Sequence, residues 1–316
     1  MPPYDLKNRL VIGVASSALF DLTDSDAYFL ETNEEAYRVY QMDRVDDPLH
    51  QGAAFPFVQR LLGLNDLRPE NPPVEVIILS KNDPVTGLRV MNSVRHHDLP
   101  ITRAVFSRGR QTHQYMPALG MSLFLSESAK DVQAAIEAGH PAGRVLSRAA
   151  ADDPQDPELR VAFDFDGVLG DDSAETVYKT AGGLGPYKEH ELANRDVPIP
   201  EGPLKNLLAD LNLIQDLETA RTKQDPSYEP RLRIALVTAR DAPAHERAVT
   251  SLRDWGVTVD EAFFLGGVEK LAVLSVLKPH IFFDDQTIHL DGAENLYAGV
   301  HVPYGIANAA TPSPDA

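Results

Sequence analysis

The sequence predicts an α/β fold with doubly wound parallel sheets, arranged in two halves of similar design. Apolar, β-branched stretches alternate with helix-forming stretches along the chain, which is typical of parallel strands joined by helical crossovers. The same order of elements occurs before and after residues 149–157, a segment rich in Ala, Asp and Pro with the composition of a linker. With 316 residues, the chain is long enough for two domains, each with its own core.

The first half, residues 1–150, contains strand-like stretches that alternate with helical ones. The strand-like stretches are short apolar runs that end in small or polar residues, at positions 10–22, 71–84, 101–109 and 121–128. The helical stretches have early acids, helical apolar spacing or a closing glycine, at positions 31–41, 51–67, 85–99 and 129–139. In the third of these, Leu88, Met91, Val94 and Leu99 define the predicted apolar face.

The second half, residues 151–304, repeats this order. It opens with a β-branched and aromatic run that leads into acids and Gly167, at positions 161–172. A polar, partly helical insert at about 172–205 leads into a helix, and three more strand-like stretches follow at positions 233–241, 261–270 and 280–286. Residues 305–316 are rich in Ala and Pro, which predicts a flexible tail.

Composition excludes several classes of protein. The 47 acidic residues outnumber the 29 basic ones, and a net charge of −18 would repel a nucleic-acid polymer. The chain has no cysteine, which excludes disulfides and thiolate chemistry. It shows neither a secretory signal nor an apolar run of membrane-spanning length, so we expect no membrane partner and a cytoplasmic location. Five histidines without regular ligand spacing are interpreted as surface or packing residues: His96, His97, His245, His280 and His289.

An internal repeat relates the two halves. A shift of 150 residues aligns the segment around Leu19 with that around Leu169, and a shift of 158 aligns the segment around Ser80 with that around Thr238. A constant register over some fifty residues predicts an internal duplication. The charged or polar positions of the second half and their counterparts are Asp164 and Val14, Asp166 and Ser16, Thr238 and Ser80, Lys270 and Thr112, Asp284 and Ser126, and Asp285 and Glu127. Chemistry therefore belongs to the second half, and the first is a scaffold, a substrate-binding element, an effector site, or simply part of a shared core.

Two aspartates one residue apart, Asp164 and Asp166, end the first strand-like stretch of the second half. Alternate side chains of a strand share a face, so an extended backbone through Phe165 would direct both carboxylates into one cleft. Carboxylates this close repel each other unless a cation lies between them. The alternative is a strand followed by an ordinary Asp-Gly turn.

The later strand ends carry groups that favour a functional site at Asp164 and Asp166 over an ordinary Asp-Gly turn. They carry Thr238 with Arg240, Lys270 before a helix, and Asp284 with Asp285. Ligands gather at the carboxyl ends of parallel strands, and converging carboxylates need a hard divalent cation, for which oxygen ligands favour Mg²⁺ over zinc. A lysine, a hydroxyl and helix N-terminal amides can hold a phosphate beside that metal. The set predicts phosphoryl transfer, in which an aspartate can form an aspartyl-phosphate.

These motifs resemble those of the haloacid dehalogenase-like phosphohydrolase superfamily, in the order FDFDGVLGDD, LVTAR, the Lys270 segment and FFDDQ. Over residues 10–290 the chain resembles one branch, the cytosolic 5'-nucleotidase I family, in SSALFDL, QGAAFPFV, VRHHDL, EGPLK, LVTARD and PHIFFDDQ. The resemblance implies a Rossmann-like fold of haloacid dehalogenase type, a small cap formed by the insert at about 172–205, and a first half without catalytic groups.

The resemblance also implies roles for individual residues. Asp164 would be the nucleophile and Asp166 the general acid and base, while Thr238 and Lys270 would hold the phosphoryl oxygens. The Mg²⁺ ligands would be Asp164, Asp166 through its carbonyl, Asp284 and Asp285. The substrate-contacting residues would be Thr238, Ala239, Arg240 and Lys270. In the insert, where this superfamily places its cap, Tyr187, Lys188 and His190 are further candidates for substrate contact, with solvated loop residues as the equal alternative. The spacing before the lysine varies in this motif, so the motif supports the assignment of Lys270 less strongly than it supports the assignments of the aspartates.

The function predicted from these residues is Mg²⁺-dependent hydrolysis of nucleoside 5'-monophosphates, with AMP or a deoxynucleotide as the leading substrate. One alternative is a phosphatase of another small phosphate ester, such as a sugar phosphate. The other is a nucleotide sensor without catalysis. The sequence leaves the oligomeric state open, with a homo-oligomer among the options.

Overall fold

Parallel strands alternate with helices in the computed structural model, which describes residues 4–146, 153, 155–180, 183–293 and 296–308. Contacts divide the chain into two units, Met1–Pro157 and Glu158–Ala316. The predicted α/β fold with parallel strands is confirmed. Most of the predicted linker (149–152 and 154) and most of the predicted tail (309–316) lie outside the described residues. Within the described ranges, no helix has both the length and the apolar character needed to cross a membrane.

The first unit consists of five parallel strands, a short two-stranded ladder and the helices between them. Its strands are β1 (Leu10–Val14), β2 (Phe20–Asp21), β3 (His50–Gln51), β4 (Val74–Ser80), β5 (Arg103–Phe106), β6 (Leu123–Ser126) and β7 (Ala142–Val145). Its helices are α1 (Ser16–Leu19), α2 (Thr23–Glu31), α3 (Glu34–Asp43), α4 (Phe55–Gly63), α5 (Gly87–His96) and α6 (Ala129–Glu137), with 3₁₀ turns at Leu64–Leu67, His113–Tyr115 and Pro117–Leu119. The parallel strands lie in the order β5-β4-β1-β6-β7, and β2 pairs with β3.

The second unit has five parallel strands in the equivalent order. Its strands are β8 (Leu159–Phe163), β9 (Leu232–Thr238), β10 (Glu261–Phe264), β11 (Ile281–Asp284) and β12 (Ala298–His301). Its helices are α7 (Ser173–Thr180), α8 (Leu184–Ala193), α9 (Lys205–Gln224), α10 (His245–Asp254) and α11 (Lys270–Leu277), with a 3₁₀ turn at Thr287–His289. The strands lie in the order β10-β9-β8-β11-β12. In each unit the order is therefore third, second, first, fourth and fifth parallel strand along the chain.

Buried aromatic packing fixes the centre of the second sheet. Phe163 on β8 pairs in register with Phe283 on β11, and their rings stack with centroids 5.1 Å apart. Both side chains are fully buried, and burying a phenylalanine contributes about 1.5–3 kcal/mol. Because β8 and β11 are parallel neighbours, their next residues, Asp164 and Asp284, emerge at the same edge of the sheet.

The predicted apolar face of the helix at 85–99 is wrong in part. Leu88 is 54% exposed, whereas Arg89 and Ser93 of α5 are buried beside Val90 and Val94. The polar pair is buried because it hydrogen-bonds: Arg89 donates to the carbonyl of Asp47, and the Ser93 hydroxyl donates to the carbonyl of Arg89. Apolar spacing alone does not reveal a buried polar pair of this kind.

Hydrogen bonds hold the start of the segment predicted as a tail. The Ile306 N–H donates to the Asp172 carboxylate at 2.6 Å, and the Asn308 side-chain amide donates to the Asp285 carbonyl at 2.8 Å. Residues 305–308 are thus anchored next to the acidic end of β11.

Candidate active site

The turn after β8 presents two carboxylates. Asp164 is 5% exposed, its N–H donates to the Phe283 carbonyl at 2.8 Å, and its Oδ1 accepts from the Phe165 N–H at 2.7 Å. Gly167 follows with φ +72°, and a Cβ there would lie 2.7 Å from the Asp285 carboxyl carbon. Both the left-handed backbone and the close approach require glycine at this position.

Lys270 joins two of the carboxylates. It is the first residue of α11 and is 3% exposed, and its Nζ lies 2.8 Å from Asp164 Oδ2 and 2.6 Å from Asp284 Oδ2. Burial alone would lower the pKa of Lys270, but the two carboxylates raise it above its usual value. Burial raises the pKa of Asp164 to about 6, against the opposing effect of the Lys270 ammonium. One cation is therefore already placed between two of the acids.

Asp285 carries an oxygen without a partner. Its Oδ1 is buried and accepts no hydrogen bond from the described residues. Burial, together with the nearby Asp164 and Asp284 carboxylates, raises the pKa of Asp285 to about 9. A buried, unpartnered carboxylate oxygen is costly unless a cation neutralises it.

The acidic cluster can hold a metal ion. Asp164, Asp284 and His289 offer ligand atoms that lie within 4.8 Å of one another, and Asp285 adds its unpartnered oxygen. The His289 Nδ1 lies 3.2 Å from both carboxylate oxygens of Asp284. Carboxylate oxygens dominate this donor set, which suits a hard divalent cation.

Arg240 clamps the second carboxylate of the turn. Its Nε and Nη2 donate to the two oxygens of Asp166 at 2.8 and 2.6 Å, and its guanidinium lies 4.9 Å from the Phe165 ring centroid. Its backbone N–H donates to the Thr238 hydroxyl at 3.3 Å, at the end of β9. A bidentate pair of this kind fixes both the position and the plane of the carboxylate.

Glu191 of α8 fixes Arg240 in turn. The Arg240 Nη1 donates to Glu191 Oε2 at 2.5 Å, and the Arg247 Nη1 donates to Glu191 Oε1 at 2.8 Å. Glu191 is fully buried, and the two arginines are 3% and 6% exposed. Burial opposes ionisation, but the two guanidinium groups hold the pKa of Glu191 below its usual value. This chain of ion pairs links the insert to the turn after β8.

A cleft of about 350 Å³ opens above these groups. The predicted residues that line it are Asp164, Asp166, Tyr187, Thr238, Ala239 and Arg240. Other lining residues are Glu175, Tyr178, Leu184, Asp241, Gln286 and His289. The cleft therefore runs from the acidic cluster to the aromatic side chains of the insert.

Comparison with known proteins identifies the family. The family model described as 5'-nucleotidase matches residues 2–309. The chain belongs to the 5'-nucleotidase family. It is 33% identical over 300 residues to human cytosolic 5'-nucleotidase 1B, an alignment that covers 93% of this chain and 48% of that protein. The chain thus spans about half the length of this curated relative. No solved structure matches.

The family membership predicted from the motifs is confirmed, and the name indicates a family of phosphoric monoester hydrolases. Most predicted site residues of this 5'-nucleotidase family member come together at the carboxyl ends of β8, β9 and β11. Three of the residues predicted to contact substrate are not among those that line the cleft: Lys270, which is buried against Asp164, and Lys188 and His190 of the insert. Lys188 pairs with Asp241 at 2.7 Å, and the His190 Nδ1 lies 3.2 Å from Glu191 Oε1.

The interpretation of His289 as a surface or packing residue does not place it beside the acidic cluster, where the structure has it. It lines the cleft and contacts Asp284, only five residues away in sequence. A histidine so close to an acidic strand end is a signal that could have been used. Glu191 was also missed. Its counterpart under the 150-residue shift is Gln41, an amide at a position that the second half fills with a carboxylate.

Proposed function

We propose that the chain is a Mg²⁺-dependent 5'-nucleotidase that hydrolyses nucleoside 5'-monophosphates, AMP or deoxynucleotides foremost, to nucleoside and phosphate. The observation that carries the proposal is the convergence of Asp164, Lys270, Asp284 and Asp285 at one edge of the sheet. Family membership supports the reaction class. The cytoplasm is the proposed location, in keeping with the name of the cytosolic relative.

The metal ligands proposed are the carboxylates of Asp164, Asp284 and Asp285 and the carbonyl of Asp166. The unpartnered Asp285 oxygen and the surplus of buried carboxylates support them. When bound, Mg²⁺ supplies positive charge to the phosphoryl oxygens and lowers the repulsion that an anionic substrate would meet.

The proposed reaction uses the two aspartates in sequence. The Asp164 carboxylate attacks phosphorus, an O–P bond forms to Asp164, and the bond to the 5' oxygen breaks as Asp166, which enters this step in its protonated form, gives that oxygen its proton. Asp166 then removes a proton from water, whose oxygen attacks phosphorus and releases phosphate and free Asp164. Lys270 holds Asp164 in place and, with Thr238, accommodates the charge on the phosphoryl oxygens.

The haloacid dehalogenase type of the fold and the internal duplication belong to this proposal. The parallel strands have the same order in the two units, which supports the fold type and the duplication. The insert formed by α7 and α8 is proposed as the cap, because its Tyr178 and Tyr187 line the same cleft as Asp164.

Phosphate release from a substrate panel tests the proposed function. The panel contains purine and pyrimidine ribo- and deoxyribonucleoside 5'-monophosphates together with sugar phosphates. With Mg²⁺ we expect turnover of nucleotides at rates that depend on the base, complete loss with excess chelator, and recovery when Mg²⁺ is restored. Metal-independent turnover, or none on any monophosphate, would contradict the proposal. Equal rates on sugar phosphates would favour a phosphatase of another small phosphate ester. Binding of nucleotides without release of phosphate would favour a nucleotide sensor.

Arg240→Lys is expected to lower kcat by roughly 10–100-fold with a smaller change in KM. Lysine carries a point charge and cannot donate two parallel hydrogen bonds to Asp166 while also reaching Glu191. Steady-state kinetics on the best nucleotide measure the effect. The matched control is Arg233→Lys, at the other end of β9, where the arginine side chain is 41% exposed. A raised KM with unchanged kcat would show that Arg240 contacts substrate rather than positioning Asp166.

A further inference from the structure

Each unit contains a buried arginine that makes the same backbone hydrogen bond: Arg247 in the second unit and Arg89 in the first. The Arg247 Nε donates to the Val197 carbonyl at 2.9 Å, and the Arg89 Nε donates to the Asp47 carbonyl at 2.9 Å. These residues correspond under the two shifts found in the sequence. The first unit therefore keeps the scaffold that fixes the insert of the second.

A turn before the insert is repeated as well. The Ser173 N–H donates to Asp171 Oδ1 at 3.1 Å, and the Thr23 N–H donates to Asp21 Oδ1 at 2.9 Å. Helices α2 and α3 follow this turn in the first unit, as α7 and α8 do in the second. The turn and the two helices that border the second-unit cleft thus have counterparts in the first unit.

The first unit has its own cleft at this place. It measures about 820 Å³ and lies between α2 and α3 and the loops that follow β4 and β5. Tyr37 lines it, at the position that Tyr187 occupies in the second-unit cleft. Phe29 and Tyr115 line it as well, and both of these rings are exposed, whereas Tyr37 is half-buried. The Phe29 and Tyr37 rings meet edge-on with centroids 5.1 Å apart.

The two clefts differ in charge. The second-unit cleft is lined by four acids and one arginine, so an anion needs a metal ion to enter it. The first-unit cleft is lined by three acids and three bases. Its equivalents of the proposed metal-ligating positions include Val14 and Ser126, which cannot supply a carboxylate. An anion can therefore bind in the first-unit cleft without a metal.

Ion pairs leave one guanidinium available there. Asp83 and Glu34 are both paired with Arg38, which is not itself a lining residue. Arg108 lies 3.4 Å from Glu34. Among the described residues, the exposed Arg110 guanidinium has no hydrogen-bond or ion-pair partner. A free guanidinium beside exposed aromatic rings suits a phosphate attached to a planar ring.

We propose that the first-unit cleft is a second ligand site, which binds a small aromatic phosphate of the nucleotide class without metal and without hydrolysing it. The Arg110 guanidinium binds the phosphate. The ring of the ligand packs against the aromatic side chains of Phe29, Tyr37 and Tyr115. The site does not depend on turnover at the second-unit cleft, since none of its lining residues belongs to the acidic cluster.

Calorimetric titration of the full-length Asp164→Asn protein in excess chelator tests this site, with AMP and inorganic phosphate as probes. This variant and the chelator remove turnover, so the result is independent of the proposed hydrolysis. We expect one AMP per chain. Arg110→Glu should abolish binding of AMP, and Arg110→Ala should weaken it about tenfold. Tyr37→Ala should weaken the binding of AMP and leave the affinity for inorganic phosphate unchanged.

Control variants locate the binding. Arg95→Ala, on the exposed side of α5, should leave AMP affinity unchanged, and so should Tyr187→Ala in the second-unit cleft. Unfolding midpoints establish that each variant is folded, and Arg110 is exposed, so its replacement does not disturb the core. The proposal is overturned if AMP does not bind in chelator, if Tyr187→Ala rather than Arg110→Glu abolishes binding, or if AMP binds no more tightly than phosphate.

Discussion

Asp164→Asn is expected to reduce phosphate release by roughly 10⁴-fold or more, because an amide cannot act as the nucleophile that accepts the phosphoryl group. The substitution preserves side-chain shape in a site where Asp164 is 5% exposed, and Lys270 keeps its contact with Asp284 at 2.6 Å. We therefore expect the variant to remain folded. Release of phosphate in single-turnover and steady-state assays, beside the thermal unfolding midpoint, measures both properties.

The matched control for this substitution is Asp254→Asn at the exposed end of α10, which should retain full activity and stability. Near-normal turnover by Asp164→Asn would refute the assignment of the nucleophile. Loss of activity with a large fall in the unfolding midpoint would show a structural effect, and Asp164→Glu then separates the two. That variant keeps the charge opposite Lys270 but displaces the attacking oxygen, so it should be stable and inactive.

The strand ends of the site could be predicted because their signals are local. A buried β-branched run followed by Asp164 indicates where β8 ends. In the same way, Thr238 and Asp284 follow apolar runs and indicate the ends of β9 and β11. The parallel alternation of elements then requires these ends to lie at one edge of the sheet. The contacts of Lys270 with Asp164 at 2.8 Å and with Asp284 at 2.6 Å agree with that reasoning for β8 and β11.

The links between elements could not be predicted, because they depend on tertiary contacts. Nothing in the local sequence of the insert distinguishes Glu191, which is buried between two arginines, from Glu189, which is solvent-exposed. Arg89 corresponds to Arg247 under the shift of 158 residues, but its burial cannot be predicted from that correspondence, since a buried arginine is identified only by its partners. Lys188 and His190 illustrate the converse: polar residues near a site attract a functional assignment although their contacts are with other protein groups.

Glu191→Ala is expected to destabilise the protein by about 3–5 kcal/mol, because it leaves two buried guanidinium groups without their shared carboxylate. For a unit of this size that corresponds to a fall in unfolding midpoint on the order of 10 °C. Differential scanning calorimetry measures the change. Glu191→Gln retains one acceptor and should lie between the wild type and the alanine variant.

Gln41→Ala is the matched control, because Gln41 Oε1 accepts from the Arg89 Nη1 at 3.2 Å where Glu191 accepts from Arg247. This variant removes a neutral acceptor from one arginine, so a smaller loss of about 1–2 kcal/mol is expected. An equal effect of the two variants would contradict the ion-pair argument.

The pH dependence of stability gives an independent test of Glu191. Because the folded pKa of Glu191 is held below its usual value, its contribution is fully present above the unfolded value of about 4.3. It is lost as the pH falls through the folded pKa. The difference in unfolding midpoint between the wild type and Glu191→Gln should therefore be constant near neutral pH and shrink below about pH 4. A difference that grew on acidification would mean that Glu191 is held protonated, and the buried Arg247 would then lack its carboxylate partner, while Arg240 would keep Asp166.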